Sequence, residues 1–345
     1  MPTARNPRTP PRPGSPATLA DVARAAGVST TTASDALRGH GRVSEPTRRT
    51  VLDAARRLDY APNRSARSLR TSVTGTIGLH VPEFPTNAEY YMSFVFGVAE
   101  QAAHAGLDVT LLSSGRLPRV DGLVLCDPVA EDPVVDRLMD AGLPVVTAER
   151  YVGDRQPAGV LWSDHETSMT GLLDHLRAKG ARRPAFLACD ITFDWALTLQ
   201  DTYARWCAEH GVPRLQHAAP LGAPPPVLRA AVGELLAGAP ETDALVCAAD
   251  GAAAAVLPEI RAAGRVVGED LLLASCVDSQ AMRTAEPPIT AIDLKPRQMG
   301  VECARLLGEI LSGEAPHGTT RTLPVETVFR ASTDRASTER AATLS

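Results

Sequence analysis

The chain has 345 residues, of which 44% are apolar and 22% charged, and its formal net charge is -5. This length supports two or three domains with sizeable cores, which excludes a mini-protein and a wholly disordered chain. The charge is divided unevenly, because the first 71 residues hold thirteen Arg against five acidic residues, a net charge of +8, and the remainder carries -13. Such a division indicates that one part of the chain meets a polyanion.

Cysteine spacing and the lack of a targeting signal predict the compartment. The six cysteines lie far apart with no CxxC pair, which favours buried reduced thiols over a disulfide framework or a zinc site. The N-terminus has no apolar stretch like that of a signal peptide, and no run approaches the roughly 18 apolar residues of a membrane helix. We expect a cytoplasmic protein, associated with the nucleoid when bound to DNA, and no membrane partner.

Residues 1–16 contain six prolines and three arginines with no acidic residue. This composition cannot form a helix or bury a core, so it predicts a disordered basic arm. Whether the arm contacts phosphates or is only a solvated tail stays open.

Residues 17–61 carry the start and stop signals of three short helices. Thr18 with Asp21 resembles a capping box, and Gly27 ends the first helix. Ser29 caps a second helix that stops near Gly39. The third begins at Ser44, with Pro46 in its first turn, and places Val51, Leu52, Ala55 and Leu58 on one face. Two helices joined by a tight turn and braced by a third predict a helix-turn-helix headpiece.

Residues 62–71 form a short basic segment. Three arginines and Leu69 stand within one or two potential helical turns, a length too short to be stable alone in water. The segment is expected to fold only on a partner.

Residues 72–330 alternate between apolar strand-like runs and amphipathic helical stretches. This alternation predicts an α/β core of two parallel-sheet lobes beside the all-α headpiece, with a ligand cleft at the carboxyl ends of the strands. The predicted strands are 76–81, 108–112, 121–125, 144–148, 160–162, 184–188, 244–248, 271–275 and 289–292. The predicted helices are 91–105, 131–141, 164–178, 198–210, 226–237, 251–263 and 295–312.

The boundaries within this core follow from the same pattern. We place 72–160 and 289–316 in the first lobe, 161–288 and 317–330 in the second, and a disordered tail at 331–345. The link at 113–120 is shorter than the dozen residues that a parallel crossover normally needs. Either a helix is missing there or the preceding strand is paired differently.

The residues from Thr18 to Ser29, followed by Thr32-Ala33-Ser34 and Gly41-Arg42-Val43-Ser44, resemble the headpiece of the LacI/GalR family of bacterial transcription regulators. The resemblance continues through Tyr60-Ala61-Pro62-Asn63 and Ala66 to Arg70. It is looser in the core, at 180–184, 287–290 and a few single positions. It implies a homodimeric regulator that binds an operator and whose DNA affinity is set by a small molecule, often a sugar.

The resemblance and the residue chemistry select candidate DNA contacts. Small hydroxyl residues at the start of the second helix let its backbone approach the major groove, and helix N-termini offer free N–H groups to phosphates. Thr18 and Ser29 serve first as helix caps. The headpiece candidates are Thr18, Ser29, Thr30, Thr31, Ser34, Asp35, Arg38 and Arg42.

Asp35 departs from the family, which commonly has an arginine at this place. Its carboxylate could accept a hydrogen bond from cytosine N4, or it could face solvent or pair with Arg38.

Residues 62–71 resemble the family's hinge helix, in which Leu69 takes the place of the leucine wedged into the minor groove. An apolar wedge with flanking cations kinks DNA, which suits this segment. A solvated linker is the alternative. The candidates here are Asn63, Ala66, Arg67 and Leu69.

The resemblance says less about the ligand. Where the family often has an arginine that clamps ligand hydroxyls, this chain has Leu199. Nearby Asp194 and Trp195 could substitute, because a carboxylate accepts from hydroxyls and an aromatic face stacks on a sugar ring. The ligand candidates, each weighed against packing or capping, are Glu83, Phe84, Trp162, Asp194, Trp195, Asp250 and Asp278, with Tyr90 a weaker one.

No catalytic constellation is present, since GxSxG, HExxH and P-loop motifs are all lacking. Asp164-His165-Glu166 is a poor metal site because adjacent residues point in different directions, so no metal or cofactor is predicted. The sequence favours a repressor, not an enzyme, that binds a pseudo-palindromic operator as a homodimer and responds to a sugar-like effector. A cytosolic small-molecule binding protein without DNA function is the alternative.

Overall fold

The structure is a computed structural model that describes residues 17–38, 43–60, 73–82, 88–112 and 117–335. The chain divides into two compact units, Met1–Thr74 and Gly75–Ser345. Within the described residues, no helix has the length and apolar character needed to cross a bilayer.

The first unit contains the three predicted helices, α1 (Leu19–Ala26), α2 (Thr30–Arg38) and α3 (Glu45–Arg57). Their shared core consists of small side chains that let the helices approach closely, among them Val22, Ala33, Val51 and Ala54, each fully buried. Leu58, predicted on the buried face, is 37% exposed because α3 ends at the residue before it.

The second unit alternates strands and helices. Its elements are β1 (Thr76–His80), α4 (Ala88–His104), β2 (Asp108–Leu111), β3 (Gly122–Cys126), α5 (Pro133–Met139), β4 (Val145–Ala148), β5 (Gly159–Ser163), α6 (His165–Ala178), β6 (Pro184–Cys189), α7 (Asp194–His210), β7 (Leu215–Ala219), α8 (Pro225–Gly238), β8 (Ala244–Cys247), α9 (Ala252–Ala262), β9 (Leu272–Ser275), α10 (Gln280–Thr284), β10 (Thr290–Asp293), α11 (Pro296–Ser312), β11 (Thr319–Leu323), β12 (Glu326–Val328) and a final 3-10 helix (Ala331–Thr333).

These strands form two six-stranded sheets, in the orders β11-β5-β4-β3-β1-β2 and β12-β10-β9-β8-β6-β7. Every pairing is parallel except that of β12 with β10. Helices bury an apolar core on each face of both sheets. All six cysteines are buried and none forms a disulfide. The predicted α/β architecture of two lobes is confirmed.

The predicted lobe boundaries are wrong at three places. β5 and β11 pair with each other in the first sheet, so residues 161–163 and 317–323 belong to the first lobe. β10 pairs with β9, so 289–293 belongs to the second. Helical and strand periodicity cannot assign a strand to a sheet, because either lobe would bury the same apolar residues.

The short link after β2 does join parallel strands. β1 pairs with β2 on one side and with β3 on the other, so the chain crosses β1 between Leu111 and Gly122. The described part of this link, 117–121, is not helical. Of the two alternatives predicted for this link, a different pairing of the strand before it is therefore excluded.

The three strands that the sequence did not predict all lie at sheet edges. β7, β11 and β12 are each paired on one side only. An edge strand is not enclosed on both sides, so polar residues are tolerated, as in the Thr-Thr-Arg-Thr-Leu of β11.

The prediction of a disordered tail from residue 331 is wrong for the first residues of that segment. Ser332 and Thr333 are buried, and Ser332 Oγ accepts a hydrogen bond from Thr290 N at 2.8 Å and donates to Leu273 O. These bonds fasten the 3-10 helix to β9 and β10. Their partners are distant in sequence, so the small polar composition of 331–335 did not reveal them.

Candidate ligand cleft and nucleic-acid interface

A cleft lies between the two lobes of the second unit. It is bounded by strand ends of both sheets, where open α/β sheets bind ligands. Its lining residues are Tyr90, Tyr91, Asp127, Glu149, His165, Trp195, Leu199, Leu221, Gly222, Ala248, Ala249, Asp250, Cys276, Val277 and Leu294.

Two acidic residues enter the cleft directly from the first sheet. Asp127 follows β3 and Glu149 follows β4, and both side chains are buried. Both residues adopt left-handed backbone conformations, with φ of 44° and 70°. Such conformations cost on the order of 1 kcal/mol or more in non-glycine residues and concentrate at functional sites. The fold therefore holds these two carboxyl groups in place at a conformational cost.

Asp127, Glu149, Tyr91 and His165 form a buried polar cluster, which we call the acidic cluster. Tyr91 donates its hydroxyl proton to Asp127 Oδ2 at 2.9 Å, and His165 Nε2 lies 3.2 Å from Glu149 Oε2. The backbone N–H of Ser163 also points at the Glu149 carboxylate, at 3.3 Å.

Burial and charge change the protonation of this cluster. Burial, with repulsion by Glu149 second, raises the pKa of Asp127 to about 7. Burial disfavours the charged ring of His165, but the combined attraction of Glu149, Asp127 and Asp194 outweighs it, so the pKa of His165 is raised. The pKa of Tyr91 is raised well above its usual value, chiefly by burial. Asp127 therefore titrates in the physiological range.

An ion-pair bridge joins the two lobes beside the cleft. Glu89, at the start of α4, accepts from Arg283 Nη2 at 2.8 Å and from Gln280 N at 2.9 Å, both on the second lobe. Arg283 also pairs with Asp278 at 3.0 Å. We call these contacts the interlobe bridge.

In the first unit, capping side chains set the ends of the helices. Thr18 and Asp21 form the predicted capping box, with Thr18 N donating to Asp21 Oδ2 at 3.0 Å. Gly27, at φ 67°, allows the left-handed turn that ends α1, and Thr32 N donates to Ser29 Oγ at 3.1 Å at the start of α2. Local hydrogen bonding thus fixes the turn between the two helices.

The beginning of α2 presents an exposed hydroxyl surface. Ser29, Thr30 and Thr31 are exposed, while Ser34 and Asp35 are partly buried on the same helix. Ala33 and Ala36 face the core. The exposed N-terminal turn can approach DNA because its side chains are short.

Comparison with known proteins decides the family. Residues 18–63 match the model of the lacI family of bacterial regulatory proteins, and residues 173–333 match a periplasmic binding protein-like domain. The HTH-type transcriptional regulator CelR of Thermobifida fusca is 32% identical over 336 residues, covering 86% of this chain and 92% of CelR. The chain belongs to the lacI family.

Other lacI-family proteins show the same likeness. An HTH-type transcriptional repressor PurR of Mannheimia succiniciproducens is 27% identical over 92% of this chain and 98% of its own length. A solved complex of CelR with cellobiose aligns with TM-score 0.67 and 28% identity, over 92% of this chain and 99% of that one. The lac repressor dimer on its operator has the same fold, with TM-score 0.78 and 23% identity over 92% and 99%. The chain is accordingly a DNA-binding transcriptional regulator.

Some of the predicted ligand residues lie at the cleft of this lacI-family core. Trp195, Asp250 and Tyr90 line it, as does Leu199. Asp194 is not among the lining residues, but it lies near enough to Arg150, Glu149 and His165 for their charges to act on its pKa, which is raised mainly by burial.

Two further predicted ligand residues do not line the cleft. Trp162 packs against Arg150, whose guanidinium carbon lies 3.5 Å from the centre of the indole. Asp278 is held by ion pairs with Arg283 and Arg330 and its side chain is only 5% exposed. Side-chain direction and pairing, which the sequence pattern does not encode, decided both cases.

Several predicted residues cannot be placed. Those outside the described residues are Arg42, Asn63, Ala66, Arg67, Leu69, Glu83 and Phe84, together with the arm at 1–16 and the hinge segment from 61 to 72. Arg38 is the last residue of α2.

The residues of the acidic cluster were not among those predicted from the sequence to bind a ligand. A signal was available, since each carboxylate directly follows a buried apolar strand, Leu-Val-Leu-Cys before Asp127 and Val-Val-Thr-Ala before Glu149. Residues at the carboxyl ends of parallel strands meet at one edge of the sheet.

Proposed function

We propose that this regulator is a repressor that binds a pseudo-palindromic operator as a homodimer, and that a small molecule in the cleft, a sugar or sugar derivative, controls its affinity for DNA. The observation that carries the proposal is the presence in one chain of a helix-turn-helix unit and a cleft lined by carboxyl groups and aromatic rings. CelR, whose solved complex contains cellobiose, supports a sugar-like effector by analogy.

Charge supports the assignment of roles. The first 71 residues carry +8 and would be attracted to phosphates, whereas the remainder carries -13 and would be repelled by them. Operator binding should therefore weaken steeply as salt concentration rises.

An apolar surface on the first lobe supports the homodimer. Met92 and Phe96, one turn apart on α4, are 45% and 56% exposed, and Leu111 on neighbouring β2 is 55% exposed. Adjacent exposed apolar side chains are typical of interaction surfaces. Phe96→Glu should shift a dimer towards monomer in sedimentation velocity, and unchanged sedimentation would count against this face.

Selection of bound sequences from a random DNA pool with the full-length protein tests DNA recognition directly. A repressor binding as a symmetric dimer should enrich an inverted repeat. Gel shifts on that repeat, with and without a panel of sugars, then test effector control. Enrichment of no sequence would refute operator recognition, and enrichment of a single half-site would refute dimeric binding.

A further inference from the structure

The charges in the cleft are one-sided. Asp127, Glu149 and Asp250 line it, whereas among the described lining residues the only basic side chain is His165, and none is Lys or Arg. Arg150, which follows Glu149 in the chain, is exposed and stacked on Trp162. One imidazole against three carboxyl groups leaves the described lining with an excess of acidic groups, so a ligand that brings positive charge gains more here than a neutral one.

The remaining walls also suit a cation. Tyr90 and Tyr91 meet edge to face with centroids 5.4 Å apart, and Trp195 stacks on Phe193 at 5.7 Å. Tyrosine and tryptophan faces attract ammonium groups through their quadrupoles. The exposed part of a tryptophan ring also stacks on the apolar face of a sugar.

His165 offers a further polar atom in the cleft. It is more than nine-tenths buried and is the ion-pair partner of Glu149, with Nε2 3.2 Å from Glu149 Oε2. Within the described part of the chain, that Nε2 makes no contact with hydrogen-bond geometry. A ligand hydroxyl beside His165 would supply a hydrogen bond, which buried polar atoms rarely lack.

Building on the proposed sugar-like effector, we propose that the cleft binds an amino sugar whose protonated amine lies beside the carboxylates of Asp127 and Glu149 and whose ring stacks on Trp195. Asp250 and His165 also line the cleft, where ring hydroxyls can reach them. A charge-assisted hydrogen bond should favour the amine over its neutral counterpart by about ten- to a hundredfold.

The test compares matched ligands on the full-length protein by titration calorimetry near neutral pH. The probes are glucosamine, galactosamine, mannosamine and the deacetylated glucosamine disaccharide, each with its neutral parent sugar and its N-acetyl derivative. At least one amine should bind tenfold or more tightly than both counterparts. Glu149→Gln and Asp127→Asn should reduce that preference towards unity, whereas Glu241→Gln, which removes an exposed carboxylate paired with Arg183, should preserve it.

Two results would overturn the inference without affecting the proposed DNA function. One is that neutral sugars bind but no amine binds more tightly than its neutral parent, which would leave a sugar effector in place. The other is the failure of every amine to bind a protein that still selects its operator. Loss of operator selection itself would instead refute the proposed function. The ligand comparison on the unmodified protein remains decisive even if a variant does not fold.

Discussion

At the scale of single residues, Asp127 couples the cleft to pH. Burial raises its pKa from 3.8 to about 7, so the folded state binds a proton more tightly than the unfolded state. Stability should therefore fall as pH rises between these two values and level off above about 7. Once the pH is above both values, the free energy of unfolding is lower by ~4 kcal/mol, at 1.36 kcal/mol per pKa unit.

Asp127→Asn should remove this pH dependence, because the amide stays neutral and its oxygen can still accept from Tyr91. Urea unfolding at pH 5 and pH 8 measures this. The free energy of unfolding of the variant, relative to that of the wild type, should be higher at pH 8 than at pH 5. Asp140→Asn is the control, since Asp140 is exposed and hydrogen-bonded to Arg155, and the pKa of Asp140 is lowered by those bonds. Parallel pH profiles for wild type and Asp127→Asn would contradict the expectation.

Asp35 is the residue at which DNA specificity should differ from that of arginine-bearing relatives. Asp35→Arg places a guanidinium on the partly buried side of α2, where it can donate to guanine O6 and N7. Selection from a random pool with both proteins should show a base change at one symmetric pair of operator positions, worth about 1–3 kcal/mol of discrimination. An unchanged consensus would mean that Asp35 does not read bases.

At the scale of elements, two glycines bring α4 and α11 into backbone contact. A Cβ added to Gly97 would lie 2.0 Å from Arg297 O, and one added to Gly300 would lie 2.2 Å from Phe94 O. Because the obstacles are carbonyl oxygens of helices, neither side chain could be accommodated by a rotamer change. The crossing therefore depends on glycine on both helices.

Gly300→Ala should destabilise the protein by about 1–3 kcal/mol, since the helices must separate, even though alanine favours a helix. Gly308→Ala, in the same helix with nothing within 4 Å of the added methyl group, is the matched control. That substitution should be neutral or stabilise by up to ~1 kcal/mol. Thermal unfolding of both variants measures the difference, and equal effects would show that the contact is relieved cheaply.

At the scale of the whole molecule, the interlobe bridge opposes separation of the lobes. Arg283 is 45% exposed in its side chain, so its pair with Glu89 contributes at most ~1 kcal/mol. A contribution of that size hardly affects unfolding but changes the balance between open and closed arrangements severalfold.

Glu89→Gln should therefore increase hydrogen exchange in the strand ends that border the cleft, around 126–128 and 247–250, while global stability stays within ~1 kcal/mol. Glu100→Gln is the control, because it breaks an exposed pair with Arg297 inside the first lobe. The bridge would have no role in closure if both variants exchanged alike.

The sequence by itself determined the headpiece and the class of the core. Helix caps are local, so Thr18, Gly27, Ser29 and Ser44 could be identified without knowledge of distant contacts. Strand and helix periodicity predicted the buried strands of both sheets, because burial on two faces leaves an apolar run.

Tertiary structure alone decided what depends on residues far apart in the chain. It assigned β5, β10 and β11 to their sheets, fastened Ser332 and Thr333 to the second lobe, and brought Asp127, Glu149 and His165 together at one edge of the first sheet. It also directed Trp162 and Asp278 to arginine partners and away from the cleft. Strand order and side-chain pairing are set by long-range packing, and the composition of each segment is compatible with more than one arrangement.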